Sequence, residues 1–268
     1  MKKTIFITGA TKNTGLAIAR RFAADGWNVA VSSRDRAAAE ETAQALAAEF
    51  SAEALGLAMD PAEVPSIRAA FAALKDRFGR LDAFVSNAAN LGVGFSVLNS
   101  EESDWDAVMN ANARGSFFGA QEAQRLMKDG GSIVFISSCH AKKAVPGRAL
   151  YTISKAAIGG MTRSLAVELC CLGIRVNAIL AGAVRTDRWD GRSDEEVEKR
   201  RSRWPVGQES TPDQVAAAVA FLCSDAAGTI SGAEIPIDSG IGACLLAYNK
   251  NWIQNDPYNV KYWEKKNG

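Results

Sequence analysis

The sequence predicts one α/β domain whose core is a parallel β-sheet covered by helices on both faces. Two observations support this fold class. Hydrophobic residues make up 47% of the 268 residues, which is enough to fill the core of one domain of this length. Short apolar runs also alternate with helical stretches along the chain. The predicted strands end near Thr8, Ser32, Met59, Ser86, Ser137, Leu180 and Ile237.

The first predicted strand leads into a turn that contains glycine. The strand covers residues 5–8, the turn runs from Gly9 to Gly15, and a helical stretch covers residues 16–25. Glycines between a strand and a helix let the backbone turn tightly and let a pyrophosphate reach the amides at the positive end of the helix. The pattern predicts a Rossmann-type, doubly wound domain that binds a dinucleotide.

A proton-transfer group is predicted at the end of the fifth strand. Ser138 follows the apolar run 132–136, while Tyr151 and Lys155 stand four residues apart on a predicted helix and share one face. An ammonium group beside a phenol lowers the pKa of that phenol by roughly 1 to 3 units. We therefore expect Tyr151 to exchange protons near neutral pH, with Ser138 holding a substrate oxygen against it.

These segments together resemble the classical short-chain dehydrogenase/reductase family over residues 3–240. The opening motif of that family is Thr-Gly-x-x-x-Gly-x-Gly. Thr8, Gly9 and Gly15 match it, and Asn13 replaces the middle glycine. Because asparagine tolerates a left-handed backbone, we expect the turn to be kept. The alternative is a reshaped loop with a weaker affinity for the cofactor. The resemblance implies the strand order 3-2-1-4-5-6-7.

Three further segments match the family in order. Residues 87–89 correspond to its Asn-Asn-Ala-Gly motif, and Asn112 corresponds to the asparagine that completes a catalytic tetrad with the serine, tyrosine and lysine. Residues 177–186 correspond to the segment that contacts the nicotinamide, with Ala181 in place of a proline. The resemblance implies cofactor contacts from Gly9, Thr11, Lys12, Asn13, Thr14, Gly15, Leu16, Ser33, Arg34, Asp60, Asn87, Ala88, Ala89, Tyr151, Lys155, Gly182, Val184 and Thr186.

The end of the second strand predicts which dinucleotide is bound. A carboxylate there accepts the 2′-hydroxyl of NAD, whereas a basic residue accommodates the 2′-phosphate of NADP. The chain has Ser33 and Arg34, with no carboxylate before Asp35, and Lys12 stands at a position that is often basic in NADP-dependent relatives. We therefore expect NADP(H) rather than NAD(H). The alternative is that Lys12 and Arg34 are solvated surface charges.

Substrate contacts are expected from the loop after Ser138 and from the segment 185–205, which is the lid over the substrate in the family. The lid is rich in arginine, and its charges are either solvated or available to bind an anionic or hydroxylated substrate. His140 either bonds the substrate or caps local backbone. The residues expected to contact the substrate are His140, Arg148, Arg185, Arg188 and Trp189.

Composition excludes several other classes of protein. The formal net charge is +1 with mixed signs, so no polybasic surface is predicted for nucleic acid or membrane, and we expect a cytoplasmic protein. The five cysteines show no Cys-x-x-Cys spacing, and the chain has one histidine. We therefore expect reduced thiols and no metal site.

The chain divides into a predicted nucleotide-binding and catalytic domain, residues 1–245, and a C-terminal extension, residues 246–268. The extension contains Trp252, Tyr258 and Trp263, and aromatic residues supply contact area at low entropic cost. We expect it to pack on its own subunit or on a neighbouring one. The resemblance implies a homotetramer.

The predicted function is interconversion of a carbonyl and a secondary alcohol by an NADP(H)-dependent oxidoreductase, with Tyr151 as general acid and base. We expect the substrate to be a keto acid, a uronate or another sugar-derived carbonyl. Two alternatives stay open at this point. One is a 3-oxoacyl-carrier-protein reductase, and the other is a non-catalytic NADP-binding sensor or scaffold.

Overall fold

The computed structural model of the protein describes residues 2–244. The strands in this part are β1 (Thr4–Thr8), β2 (Asn28–Ser33), β3 (Ala54–Ala58), β4 (Ala83–Ser86), β5 (Gly131–Ser138), β6 (Ile174–Ala181) and β7 (Glu234–Ile237). The α-helices are α1 (Asn13–Ala24), α2 (Arg36–Phe50), α3 (Val64–Phe78), α4 (Glu102–Met109), α5 (Gly115–Gln124), α6 (Ala149–Glu168), α7 (Asp194–Arg201) and α8 (Pro212–Cys223).

The strands form one parallel sheet in the order β3-β2-β1-β4-β5-β6-β7, which confirms the predicted fold class and strand order. Parallel neighbours need crossover connections, and here the helices supply them. Because all strands run the same way, the loops that follow them meet at one edge of the sheet, where ligands bind in folds of this kind.

Strand β1 shows how the sheet is buried on both faces. All five of its residues are buried. Ile5 and Ile7 belong to a hydrophobic cluster that includes residues of α1, α2 and α8, whereas Phe6 belongs to a second cluster that includes residues of α3, α5 and α6. Successive side chains of a strand point to opposite faces, so a continuous apolar run suits a sheet between two helical layers.

The observed elements lie close to the predicted ones. Each predicted strand end agrees with the structure to within one residue; the third strand, for example, ends at Ala58 rather than Met59. Helix α1 begins at Asn13, three residues before the predicted start. The expected C-terminal extension, residues 246–268, lies outside the described residues.

Within residues 2–244, no helix combines the length and the apolar character that crossing a bilayer requires.

The second hydrophobic cluster contains three phenylalanine rings in mutual contact. The ring of Phe84 lies 5.9 Å from that of Phe6 and 5.5 Å from that of Phe71, measured between centroids. Phe84 is 1% exposed. The three rings therefore join the two central strands to α3.

We expect Phe84→Ala to lower the free energy of unfolding by about 3–5 kcal/mol, because it removes buried surface and leaves a cavity. Denaturant titration at fixed protein concentration measures the change. Val167→Ala is the matched control, since Val167 is 74% exposed on α6 and its loss should change stability by no more than about 0.5 kcal/mol. Equal stabilities of the two variants would contradict the prediction.

Candidate active site

The glycine turn after β1 packs closely against the loop after β4. Gly9 adopts φ +63°, and a Cβ atom there would lie 2.9 Å from the Cα of Ala88. At Gly15 a Cβ would lie 2.4 Å from the carbonyl oxygen of Gly9. Asn13 adopts φ +50°, the left-handed conformation that the sequence predicts. The turn is therefore kept although Asn13 replaces a glycine.

Hydrogen bonds join this turn to the end of β4. The hydroxyl oxygen of Thr8 accepts from the backbone amides of Asn87 and Ala88, both at 3.0 Å. The side-chain amide of Asn87 donates to the carbonyl oxygens of Thr8 (2.9 Å) and Gly9 (2.8 Å). Asn87, a predicted cofactor contact, thus holds the turn and the neighbouring loop together.

A cleft of about 1030 Å³ opens at this edge of the sheet. Its size and its polar rim suit a dinucleotide. Helix α1 has no acidic residue in its first turn and no side-chain cap, so its positive end faces the cleft without an anion of its own. The predicted cofactor residues that line the cleft are Gly9, Thr11, Lys12, Asn13, Thr14, Gly15, Ser33, Arg34, Asp60, Asn87, Ala88, Ala89 and Thr186.

The two basic residues predicted to select NADP stand in different surroundings. Arg34 is exposed, lines the cleft and pairs with no acidic side chain of residues 2–244. Asp35, the nearest carboxylate, caps α2 by accepting the amide of Ala38 (3.3 Å). Lys12, in contrast, donates to the carboxylate of Asp187 (Nζ–Oδ2 3.0 Å). Arg34 is thus available to a phosphate, whereas Lys12 is shared with Asp187.

The predicted proton-transfer residues come together at the end of β5. Ser138 is the last residue of that strand and is 5% exposed. Tyr151 and Lys155 lie on α6, and the ammonium nitrogen of Lys155 is 5.7 Å from the centroid of the Tyr151 ring. Lys155 is 3% exposed, and its Nζ donates to the carbonyl oxygen of Ile136 (2.8 Å).

The structure corrects the expected direction of the tyrosine titration. Burial raises the pKa of Tyr151 above its ordinary value of 10, while a side-chain hydrogen bond with Ser138 lowers it by less. Burial also lowers the pKa of Lys155 to about 8. The spacing on the helix is as predicted, but desolvation disfavours the charged form of both groups. The phenol is therefore protonated at neutral pH.

Asn112 lies in a π-helical turn, Asn110–Arg114, between α4 and α5. Its side-chain oxygen accepts from the amide of Asn90 (2.7 Å), and its side-chain nitrogen donates to the carbonyl oxygen of Asn90 (2.8 Å) and to the hydroxyl of Ser154 (2.9 Å). Such turns are frequent at functional sites. Asn112 thereby ties the loop after β4 to α6, which carries Tyr151.

His140 and Arg148 flank the tyrosine. The His140 ring meets the Tyr151 ring edge to face with 5.7 Å between centroids, and the Arg148 Cζ lies 6.0 Å from the Tyr151 centroid. Arg148 also donates to the carbonyl oxygen of Leu91 (2.7 Å), which lines the cleft. The Nδ1 atom of His140 is buried and has no partner among residues 2–244. Burial, and then the charge of Arg148, lower the pKa of His140, so its imidazole is neutral at pH 7.

The segment after β6 carries the remaining predicted cofactor contacts. Ala181 stays in the strand although the family has a proline there, and Gly182 donates its amide to the carbonyl oxygen of Ile237 (2.8 Å). The carbonyl oxygen of Val184 accepts from the indole nitrogen of Trp189 (3.0 Å). Losing the proline therefore leaves the strand intact up to the start of the lid.

The comparisons with known proteins agree with this geometry. A family model described as enoyl-(acyl carrier protein) reductase matches residues 9–242. The 3-oxoacyl-acyl-carrier-protein reductase FabG of Staphylococcus aureus strain Mu50 is 33% identical over 246 residues, which cover 90% of this chain and 98% of that protein. A solved short-chain dehydrogenase/reductase from Serratia marcescens is similar with a TM-score of 0.83 at 31% identity, covering 90% of this chain and 98% of its own.

The chain belongs to the short-chain dehydrogenase/reductase family. It is accordingly an oxidoreductase. A further solved member, L-sorbose reductase from Gluconobacter frateurii in complex with NADPH and L-sorbose, has a TM-score of 0.86 at 26% identity and covers 91% of this chain and 98% of its own.

In this short-chain dehydrogenase/reductase, the lid is anchored by Glu209, whose side chain is 4% exposed. Its carboxylate accepts two bonds from Arg201 (2.8 and 2.7 Å) and one from Arg185 (3.2 Å). These bonds, that of Arg201 first, lower the pKa of Glu209 to about 2. Trp189 is 9% exposed and lies 5.9 Å from Trp204 between ring centroids.

Two of the expected substrate contacts, Arg185 and Trp189, make contacts with protein groups in and beside the lid. Arg185 donates to Glu209, and Trp189 packs against Trp204, so both help to hold the lid, and their contact with substrate stays a prediction. A basic or aromatic residue in a lid looks the same in sequence whether it faces the ligand or its own segment. Arg188 remains a candidate because it is exposed, lines the cleft and lowers the pKa of Tyr151 through its charge.

Sequence reasoning missed several residues that line the cleft. Asn90 and Leu91 follow the motif at residues 87–89 directly, so the motif could have been extended to them. Asp187 follows Thr186, but no sequence signal predicted that its carboxylate reaches the glycine turn. The cleft-lining residues that were not predicted are Met59, Pro61, Ala62, Asn90, Leu91, Ala107, Ala111 and Asp187.

We expect Glu209→Gln to lower the free energy of unfolding by about 2 kcal/mol at neutral pH, since hydrogen bonds to charged groups contribute about 1.5–3 kcal/mol. The folded-state pKa of about 2 lies below the ordinary 4.5. The stabilisation by the carboxylate is thus fully present above the ordinary pKa and is lost as the pH falls through the folded-state pKa.

Denaturation of both proteins over a pH series measures this difference. It should be constant above about pH 5 and should shrink as the pH falls further. A difference that does not change with pH would contradict the assignment to this carboxylate.

Proposed function

We propose that the protein is an NADP(H)-dependent oxidoreductase that interconverts a polar carbonyl compound and its secondary alcohol, with Tyr151 as general acid and base. The observation that carries this proposal is the convergence of Ser138, Tyr151 and Lys155 at the end of β5. Arg148 connects this group to the cleft through its bond to Leu91.

The residues around the cleft would hold the dinucleotide, which supplies or accepts a hydride when bound. The glycine turn and the positive end of α1 would receive the pyrophosphate. Asp60 would meet the adenine edge, and residues 87–89 the adenosine ribose. Gly182, Val184 and Thr186, with Tyr151 and Lys155, would hold the nicotinamide end.

Side chains of the protein donate and accept the proton of the reaction. Because burial raises the pKa of Tyr151, its phenol is protonated at neutral pH and suited to donate to a carbonyl oxygen during reduction. The Ser138 hydroxyl would donate a second hydrogen bond to that oxygen. In the reverse direction the same phenolate oxygen takes up the proton of the alcohol.

Lys155 acts on the tyrosine after the proton has left. With a pKa of about 8, its amine is mostly charged at neutral pH. The ammonium, 5.7 Å from the ring centroid, would stabilise the phenolate that remains on Tyr151. Asn112 is a positioning residue in this scheme, since its bonds to Asn90 and Ser154 hold α6 against the loop after β4.

Arg34 supports the choice of NADP(H). It is exposed at the cleft, and no acidic side chain of residues 2–244 neutralises it. A 2′-phosphate would bind this guanidinium. A carboxylate at the end of β2 would favour NAD, but the nearest one, Asp35, caps α2 instead. The related L-sorbose reductase was solved with NADPH.

The groups around Tyr151 favour a polar substrate. The His140 ring and the guanidinium of Arg148 lie beside the phenol, and the charge of Arg188 reaches it as well. A keto acid, a uronate or another sugar-derived carbonyl would satisfy these groups.

A 3-oxoacyl-carrier-protein reductase is the second candidate, favoured by the 33% identity to FabG. The same tetrad would serve it, but its substrate is an acyl thioester whose chain does not match a neutral histidine and an arginine beside the phenol. NADPH consumption over a panel of keto acids, sugar-derived ketones and short 3-oxoacyl thioesters separates the candidates. Turnover confined to the thioesters would favour this second function.

We also propose that the protein forms a homotetramer and acts in the cytoplasm, as the family resemblance implies. Trp105 and Phe117 are 43% and 41% exposed on α4 and α5, which suits a surface that packs against another subunit.

We expect Tyr151→Phe to lower kcat by about 10²–10⁴-fold, because it removes the proton donor while keeping the ring. Binding of NADPH, followed by its fluorescence, should stay within about threefold of the wild-type affinity. Steady-state rates on the best substrate of the panel provide the measurement. A variant that retains most of its turnover would rule out Tyr151 as the acid.

We expect Arg34→Asp to shift the ratio of kcat/KM for NADPH over NADH by roughly ten- to a hundredfold toward NADH, because it replaces a phosphate ligand with a carboxylate. Arg36→Asp is the matched control, since Arg36 pairs with Glu40 on α2 outside the cleft lining. A ratio that changes equally in both variants would contradict a specific role for Arg34.

A further inference from the structure

The lid touches the glycine turn at one residue, Asp187. Its carboxylate accepts from the ammonium of Lys12 (3.0 Å) and from the side-chain amide of Asn13 (3.1 Å), and its backbone amide donates to the side-chain oxygen of Asn13 (3.2 Å). The glycine turn and the segment 186–188 each form part of the cleft wall. Three hydrogen bonds therefore join two walls of the cleft.

Two of the three bonds depend on the residue that departs from the family motif. Asn13 has φ +50°, which a glycine adopts at no steric penalty, so a glycine here would keep the path of the backbone. A glycine has no side chain, however, and neither bond between Asn13 and Asp187 would form. The asparagine thus adds a contact to the lid without reshaping the turn.

The contact lies at the rim of the cleft rather than at its floor. The side chains of Lys12 and Asp187 are 72% and 46% exposed. Asp187 bonds the side chains of the turn, so the backbone amides at the start of α1 still face the cleft for an anionic group. The bond from Lys12, and then that from Asn13, lower the pKa of Asp187, so the carboxylate is ionised at neutral pH.

We propose that Asp187 is a positioning residue that fastens the lid to the glycine turn through Asn13 and Lys12, and that this latch slows the release of a bound dinucleotide. The proposal rests on the proposed function, because it requires a dinucleotide in the cleft. A nucleotide lying between the two walls leaves after the bonds across the rim have opened. Since the bonds are exposed, they break and re-form readily, and the latch slows release in proportion to the fraction of time that it is closed.

The test is the rate at which NADPH leaves the purified full-length protein. NADPH is bound first and then displaced by an excess of NADP⁺ in a stopped-flow instrument, and the loss of bound-state fluorescence gives the rate constant. We expect Asp187→Ala and Asn13→Gly each to accelerate release by roughly three- to tenfold, the effect of losing one or two hydrogen bonds.

A double variant shows whether Asp187 acts through Asn13. If both substitutions remove the same contact, the double variant releases NADPH no faster than the faster single variant. Asp190→Ala is the matched control, because Asp190 is an exposed acid just after the same helical turn, and its release rate should equal that of the wild type. Thermal unfolding of each variant separates a loss of the latch from a loss of the fold.

The outcomes are distinguishable. Release rates that are unchanged or slower in both single variants would overturn the latch, and so would an acceleration by Asp190→Ala of equal size. Fully multiplicative effects in the double variant would overturn the route through Asn13. A wild-type protein that binds neither NADPH nor NADH would instead overturn the proposed function itself.

Discussion

The hydrogen bonds between Thr8 and Asn87 are the contact on which the rest of the site depends. They keep the carboxyl ends of β1 and β4 side by side. They also keep the Gly9 backbone against that of Ala88, where no side chain fits between the two. The loop that follows Asn87 is then fixed in turn by Asn112. Two sets of hydrogen bonds, linked by the backbone of residues 87–90, therefore connect the glycine turn with the helix that carries the tyrosine.

Desolvation shifts the pKa values of Tyr151 and Lys155 more than neighbouring charges do. The same burial raises the pKa of Tyr151 and lowers that of Lys155, so both groups move toward their neutral forms. The sequence spacing brings them together but does not reveal how much water surrounds them. The pKa of a buried group depends on the residues packed around it. Those residues come from strands and helices that are far apart in the chain.

The sequence predicted those features that follow from local chemistry and from a motif. Strand ends, the glycine turn and the left-handed Asn13 depend on neighbouring residues, and the strand order followed from the resemblance to the family. The contacts of Arg185 and Trp189 within the protein were not predicted, because their partners, Glu209 and Trp204, lie further along the chain. The contact of Asp187 with Lys12 was missed for the same reason, since it joins residues that are brought together by the complete sheet. The cofactor, the substrate and the tetrad remain proposals that the geometry supports.

The central place of β1 also has a consequence for how the chain is made. During synthesis β1 leaves the ribosome first and finds β2 soon afterwards, since Thr4 pairs with Asn28. Its other edge stays unpaired until β4 has been synthesised, because Ile5 pairs with Ala83. Until then a strand with the apolar run Ile5, Phe6 and Ile7 has an open edge that can pair with another nascent chain. The N-terminal third of the protein thus carries an unpaired strand edge during synthesis until β4 has emerged.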